Sequence, residues 1–228
     1  MLKFLLLLFI FYQPICSVEI QVLEHLKALQ EQIEQPISTC LKKLTAQFEI
    51  IVSNFTNYQY ETSEMIESHT QSISSHLDSI GNIFIDFGID IDPCEEIIQE
   101  QIEEILKSSN EELTKVLLYG FLAGRRVVSD AKNILTIVQN KTIEIKLTVE
   151  NCMSEFDSED CLIEALTRII VMQYTLPEMV ESVRQLHEEQ MGLIEDDVIS
   201  NLEKIIYRVT NSYRDVMNDF VVCMQKYL

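Results

Sequence analysis

Of six cysteines, Cys16 falls in the amino-terminal leader read below, and the other five carry the most definite chemistry in this chain: Cys40, Cys94, Cys152, Cys161 and Cys223. Paired thiols oxidise to disulfides outside the cell. Zinc is the competing use of cysteine, but no C-x-x-C occurs and the four histidines are scattered, so a tetrahedral ligand set is missing. Five thiols make two bridges and leave one over, either free or bonded to another chain. His69 and His76 lie seven apart on one helical face. No third ligand is spaced with them, and packing in a dilute apolar seam is the simpler reading. Asp86, Asp90 and Asp92 lack the Asp/Asn-Gly-Glu framework of a calcium loop and read as the solvated side of a connection. No serine sits in a nucleophile-elbow context and no glycine-rich phosphate loop appears. The reading is therefore non-enzymatic, with no catalytic residue, no metal and no cofactor assigned. Asn54-Phe-Thr56 and Asn140-Lys-Thr142 are N-glycosylation acceptors, so Asn54 and Asn140 are candidate modified residues and should face solvent.

The cysteines must be held by long helices. Before Cys152, apolar or small residues recur in steps of three and four through Val128, Ala131, Leu135, Val138, Thr142, Ile145 and Val149. After Cys161 the rhythm restarts with Leu162, Leu166, Ile169, Gln173, Leu176, Val180 and Val183. That is the seam of two packed helices joined by a short acidic turn, with Asp157 as the N-cap. Cys94 lies 58 residues before Cys152, and Cys223 lies 62 after Cys161. Nearly equal arms bring Cys94 and Cys223 to one height. If three long helices run up, down and up, Cys40, Cys152 and Cys161 share the opposite end. The turn already holds Cys152 near Cys161, which favours that bridge over Cys40–Cys152 or Cys40–Cys161. Loop entropy gives the small ring about 3 kcal/mol and the Cys94–Cys223 ring more. Cys40 is then the unpaired thiol and the candidate for a disulfide-linked homodimer.

Five glycines, four prolines and no tryptophan argue against a sheet-rich body. The expected class is all-α: an elongated antiparallel helical bundle, coiled-coil-like, with three long helices plus a short N-terminal helix. The short helix covers 19–34 with Val22, Leu26, Leu29 and Ile33 on its stripe, and Pro36 ends or kinks it. The first long helix covers 37–80. Period-two spacing of Ile83, Ile85, Phe87, Ile89 and Ile91 after Gly81 suggests an extended apolar lid over 81–92. Asp92, Pro93 and Glu95 then start a helix over 93–153, with Asp92 as cap. Ser109 with Glu112 offers a second start, and Gly120 and Gly124 weaken the middle. Arg125-Arg126 is the one adjacent arginine pair, and pairing with nearby acids is its simplest role. The last helix covers 158–226, with a kink or new start at Pro177 and a polar stretch around His187, Gln190 and Gly192. A seam period near 3.5 implies left-handed supercoiling.

Residues 1–17 read as a secretory signal peptide: Lys3, an apolar run Phe4–Phe11, and a cleavage site at Pro14–Ser17. No later apolar run approaches the roughly 20 residues of a transmembrane helix. Residues 18–228 are then a single exported bundle, in keeping with the disulfides. The chain carries a formal charge of −20. Losing Lys3 with the leader makes the mature chain one unit more negative. Such a chain repels nucleic acid and anionic membranes at long range, and its acidity serves solubility.

The carboxy-terminal half resembles the secreted insect domain of the tsetse midgut EP-type proteins. The likeness rests on Cys152 and Cys161 around a short acidic turn and on Asn211-Ser-Tyr213 through Phe220-Val-Val-Cys223. It spans roughly residues 94–223 and implies an exported insect protein of gut, saliva, haemolymph or reproductive fluid, with no chemistry attached. Two classes of role remain. One is an extracellular interaction or structural module that meets an unknown protein partner. The other is a carrier of lipid or another apolar small molecule. Staples and acidity favour the first. Non-reducing peptide mapping should recover Cys94 linked to Cys223 and Cys152 linked to Cys161; a peptide joining Cys94 to Cys40 would overturn the height argument.

Overall fold

The computed structural model describes residues 2–154 and 159–227, with side chains from Val18 onward. Three helices packed against each other make up the chain: α1 (Leu2–Asp86), α2 (Asp92–Ser154) and α3 (Glu159–Met224). No strand occurs among the described residues. The side chains of residues 1–17 and all of residues 155–158, the expected cap Asp157 among them, lie outside the described residues. The chain divides into two compact units. Unit 1 is Met1–Phe48 with Arg126–Met191, and unit 2 is Glu49–Arg125 with Gly192–Leu228.

Each unit takes one stretch of every helix. In unit 1, Glu144 meets Arg168 and Cys152 meets Cys161, so α2 and α3 run in opposite directions there. His25 of α1 meets Gln173 of α3 across the same core. That core holds Leu29, Ile33, Leu44, Leu135, Val138 and Ile169, all fully buried. In unit 2, Glu112 meets Arg208 and Gln101 meets Asp219, again opposed. Its core holds Phe55, Leu113, Leu202, Ile205, Tyr213 and Phe220.

The buried positions recur every eleven residues. On α1 they are Val22, Ile33, Leu44, Phe55, Ile66 and Leu77. On α3, two such series run side by side: Ala165, Leu176, His187, Val198, Val209, Phe220, and Ile169, Val180, Met191, Leu202, Tyr213, Met224. On α2 the series is of small residues, Ser109, Gly120, Ala131 and Thr142. Eleven residues in three turns is a period of about 3.67, whose drift has the opposite hand from that of a heptad. The expected left-handed supercoil therefore loses its basis. The same repeat accounts for His187. It occupies a seam position, and its Nδ1–H donates to the Val183 carbonyl at 2.7 Å, which lets a polar ring stay buried.

Several expected boundaries shift. α1 passes through Pro36 with no separate helix over 19–34. The proline forgoes one ladder bond and costs about 3 kcal/mol relative to alanine. Burial of Ile33 and Ile37 on either side, at about 1.5–3 kcal/mol each, offsets that. The extended lid over 81–92 is not formed. α1 continues to Asp86, and Gly88, with φ of 77°, closes it. The Gly88 N–H bonds the Ile85 carbonyl at 2.8 Å and the Ile89 N–H bonds the Phe84 carbonyl at 3.1 Å, a Schellman cap. Ile83, Ile85 and Phe87 consequently face solvent, while Ile91 alone of the alternating set is buried. Gly81 is interior because a Cβ there would come within 2.8 Å of Ile91 Cδ1. The cap of α2 also moves. The Ile91 carbonyl accepts the first helical bond, from Glu95, and Asp90 rather than Asp92 takes a free N–H, that of Asp92 at 3.1 Å. α2 and α3 run unbroken through Ser109, Pro177 and Gly192.

Gly120 and Gly192 separate two meanings of glycine in a helix. A Cβ on Gly120 would lie 2.5 Å from Val198 Cγ2 and 2.8 Å from the Phe55 ring, whereas one on Gly192 meets nothing within 4 Å. Gly192→Ala should stabilise the fold by about 0.5–1 kcal/mol through lost unfolded-state freedom. Gly120→Ala should destabilise it, since overpacking of about 1–3 kcal/mol exceeds the same gain. Thermal melts followed by circular dichroism check both signs.

Candidate functional site

Oxidised sulfur ties two of the three helices together. In unit 2, Cys94 in the first turn of α2 is bonded to Cys223 near the end of α3, with Cα atoms 5.9 Å apart. In unit 1, Cys152 and Cys161 are bonded across the α2–α3 connection, with Cα atoms 5.6 Å apart. Both separations are ordinary for a disulfide. Both bridges join α2 to α3, and neither touches α1. Cys94 and Cys152 are both buried on α2.

Cys40 is the remaining thiol, and it is 2% exposed in the core of unit 1. Burial pushes its thiol up; the nearby Arg184 guanidinium opposes this, and the carboxylates of Glu188 and Glu181 add to it. Thiolate is the form that exchanges disulfides. An intermolecular bridge through Cys40 thus requires the packing around it to open.

Cys40 lines a cavity of about 730 Å³ between α1 and α3 of unit 1. Pro36 stands on one wall and Pro177 on the other, with Val180 beside Cys40. Gln173 is fixed at the edge. Its amide bonds the His25 carbonyl at 3.0 Å, and its oxygen meets His25 Nδ1 at 3.1 Å. Arg184 closes another side, its guanidinium forked between Glu181 and Glu188. The fork holds Glu181 at about 2, well below the usual carboxylate range, chiefly by the Arg184 hydrogen bond with help from Gln185. Three other grooves are smaller, at about 490, 300 and 280 Å³.

The other sequence candidates separate. His69 is half-buried and His76 exposed, and the His76 ring is spent on the Ser72 carbonyl at 2.7 Å. No group of three or more metal-ligating side chains is gathered among the described residues. Asn140 is exposed. Asn54 is half-buried, and its Nδ2, the atom a glycan would use, donates to Glu195 at 2.7 Å. Arg125 and Arg126 are exposed and form no ion pair among the described residues, so pairing is not their role in this fold. Two features escaped the sequence reading. Tyr213, fully buried, is hydrogen-bonded to Thr70. Its place on a seam position signals the need for such a partner. The Arg184 fork was legible in the i, i+3 and i+4 spacing of Glu181, Arg184 and Glu188.

Glu181 supplies a pH dependence. Its carboxyl is lowered from 4.5 to about 2 in the folded chain. Its contribution is therefore present above pH 4.5 and lost as pH falls toward 2. In melts from pH 2 to 7, the Glu181→Gln variant should match the parent at pH 2 and fall below it at pH 6. Equal curves throughout would remove the fork from the account.

No known family, no curated protein and no solved structure matches this chain.

Proposed function

We propose that the chain is a secreted, non-enzymatic helical protein that serves as an extracellular interaction module. In this reading its three helices form one elongated antiparallel bundle, freed from a leader of residues 1–17. The two disulfides and the absence, among the described residues, of any helix long and apolar enough to cross a membrane are compatible with export.

One observation carries the interaction reading. In unit 1, the exposed face of α3 presents Ile163, Ile170, Val171 and Tyr174, the last 74% exposed, with Thr167 among them and the exposed Glu164 and Arg168 at the edge. An apolar strip on a chain of charge −20 stands out from the solvating surface around it. Strips of this kind mark contact sites for proteins, and tyrosine contributes large contact area at low entropic cost. The acidic surround suits a basic rim on the partner. The resemblance to exported insect proteins points to the same compartment.

A carrier role is the second reading, and a specific observation favours it. Because both bridges join α2 to α3, α1 is held by packing and a few polar contacts alone. It can part from its neighbours without any disulfide breaking, which is how amphipathic helices admit lipid.

When the full sequence is expressed in secretory cells, the exported protein should begin within a few residues of Val18. Immobilised on a support, it should retain a partner from the fluid into which it is secreted. The Ile170→Glu/Tyr174→Glu variant should lose at least tenfold in retention while melting within a degree or two of the parent, since exposed substitutions change stability little. Stoichiometric lipid in an extract of the purified protein, with retention unchanged in the variant, would put the carrier reading first.

A further inference from the structure

We propose that the outward face of α2 centred on Leu118, in unit 2, is a docking surface for a second copy of this chain, which packs its own α2 antiparallel across it. The surface is separate from the α3 face of unit 1, and neither contact depends on the other.

The face is marked first by what it lacks. Between Glu112 and Asp130, α2 carries no acidic residue, the longest such stretch after the leader in a chain of charge −20. Salt leaves charges closer than about 8 Å largely unscreened, so two such chains can touch only where acid is sparse. The nearest acid, Glu112, is already paired with Arg208 at 2.6 Å. On the α1 side the margin is uncharged as well: Val52, Thr56 and Gln59 border Leu118 across a groove of about 280 Å³. Within this stretch Leu118, Tyr119 and Leu122 are each more than half exposed. Contiguous apolar surface of this kind marks a contact site.

The identity of the partner follows from spacing. Glu111, Leu118 and Arg125 recur at intervals of two helical turns, so they share one face, opposite the buried Leu113 and Gly120. Glu111 and Arg125 stand about 10.5 Å to either side of Leu118. Both are exposed, and neither forms an ion pair among the described residues. A second α2, antiparallel and related by a two-fold axis at Leu118, places Leu118 against its own copy. The same operation sets Arg125 level with the partner's Glu111, twice over, and Leu122 level with the methyl group of the partner's Thr114. A face that carries its own complement in reverse order is what an isologous contact requires. An anionic lipid surface would attract Lys115 and Arg125 but repel Glu111.

Sedimentation equilibrium of the mature chain, with both bridges intact, should show a reversible dimer by about 100 µM, as suits a contact smaller than a standard interface. Non-reducing denaturing gels of the same sample should show monomer only. Leu118→Glu should weaken the dimer at least tenfold. Arg125→Glu and Glu111→Arg, which each set like charges level twice over, should do the same. The Glu111→Arg/Arg125→Glu variant should return to within about threefold of the parent, since the swap restores opposite charges. All four variants should melt within a degree or two of the parent, because exposed substitutions change stability little. A chain that stays monomeric at that concentration, a covalent dimer on the gels, undiminished association of Leu118→Glu, or a double variant as weak as the singles would each overturn the proposal. So would capture of a monomeric chain by phosphatidylserine vesicles, which would assign the face to lipid.

Discussion

A buried stripe that returns every eleven residues is the constraint on which the rest of this molecule depends. α2 and α3 run for 63 and 66 residues without interruption. A helix that long keeps one face inward only if the period of its apolar residues matches its own turn. The eleven-residue spacing does this on all three helices, and each departure from apolar type is absorbed on the spot. His187 turns back on its own helix, Tyr213 finds Thr70, and Gly120 makes room for the Phe55 ring. Single tight contacts of this kind set the depth of packing in each unit.

Covalent and non-covalent holding are unevenly shared. α2 and α3 are bonded at both of their ends, while α1 relies on burial of Leu29, Ile33, Leu44 and Phe55 and on scattered polar contacts. Ion pairs add little. Most of them link residues three or four apart on one helix and lie in solvent, where such pairs contribute well under 1 kcal/mol. α1 is therefore the element whose attachment depends most on apolar area, and so on temperature and solvent.

Much of this was legible in the chain. All-helical structure follows from the 3–4 spacing; nearly equal arm lengths select Cys94 with Cys223 and the short turn favours Cys152 with Cys161, the two pairs whose sulfur atoms the structure joins. What stayed hidden depends on context. The difference between periods of 3.5 and 3.67 amounts to one residue in about twenty, and steps of three and four fit either until burial shows which residues turn inward. Gly81 and Gly88 are identical as letters, but only Gly88 takes a left-handed backbone, because Ile91 needs the space beside Gly81. Pro36 reads as a breaker because its cost is local, whereas the burial that overrides it comes from other helices. The facing of Pro36 and Pro177 had no signal at all, since the two lie 141 residues apart in the chain and meet only once the core has formed.

The Cys94–Cys223 ring spans 129 residues and contains the smaller one of nine. For a protease this makes the chain unequal along its length. One cut within α2 or α3 opens a strand, but the sulfur links keep both pieces on the same molecule, each still covered by its neighbours. One cut within α1 frees a fragment that nothing retains except contact. Resistance to digestion in a harsh fluid is in this way built into the carboxy-terminal portion, and the amino-terminal helix is the part that can be shed.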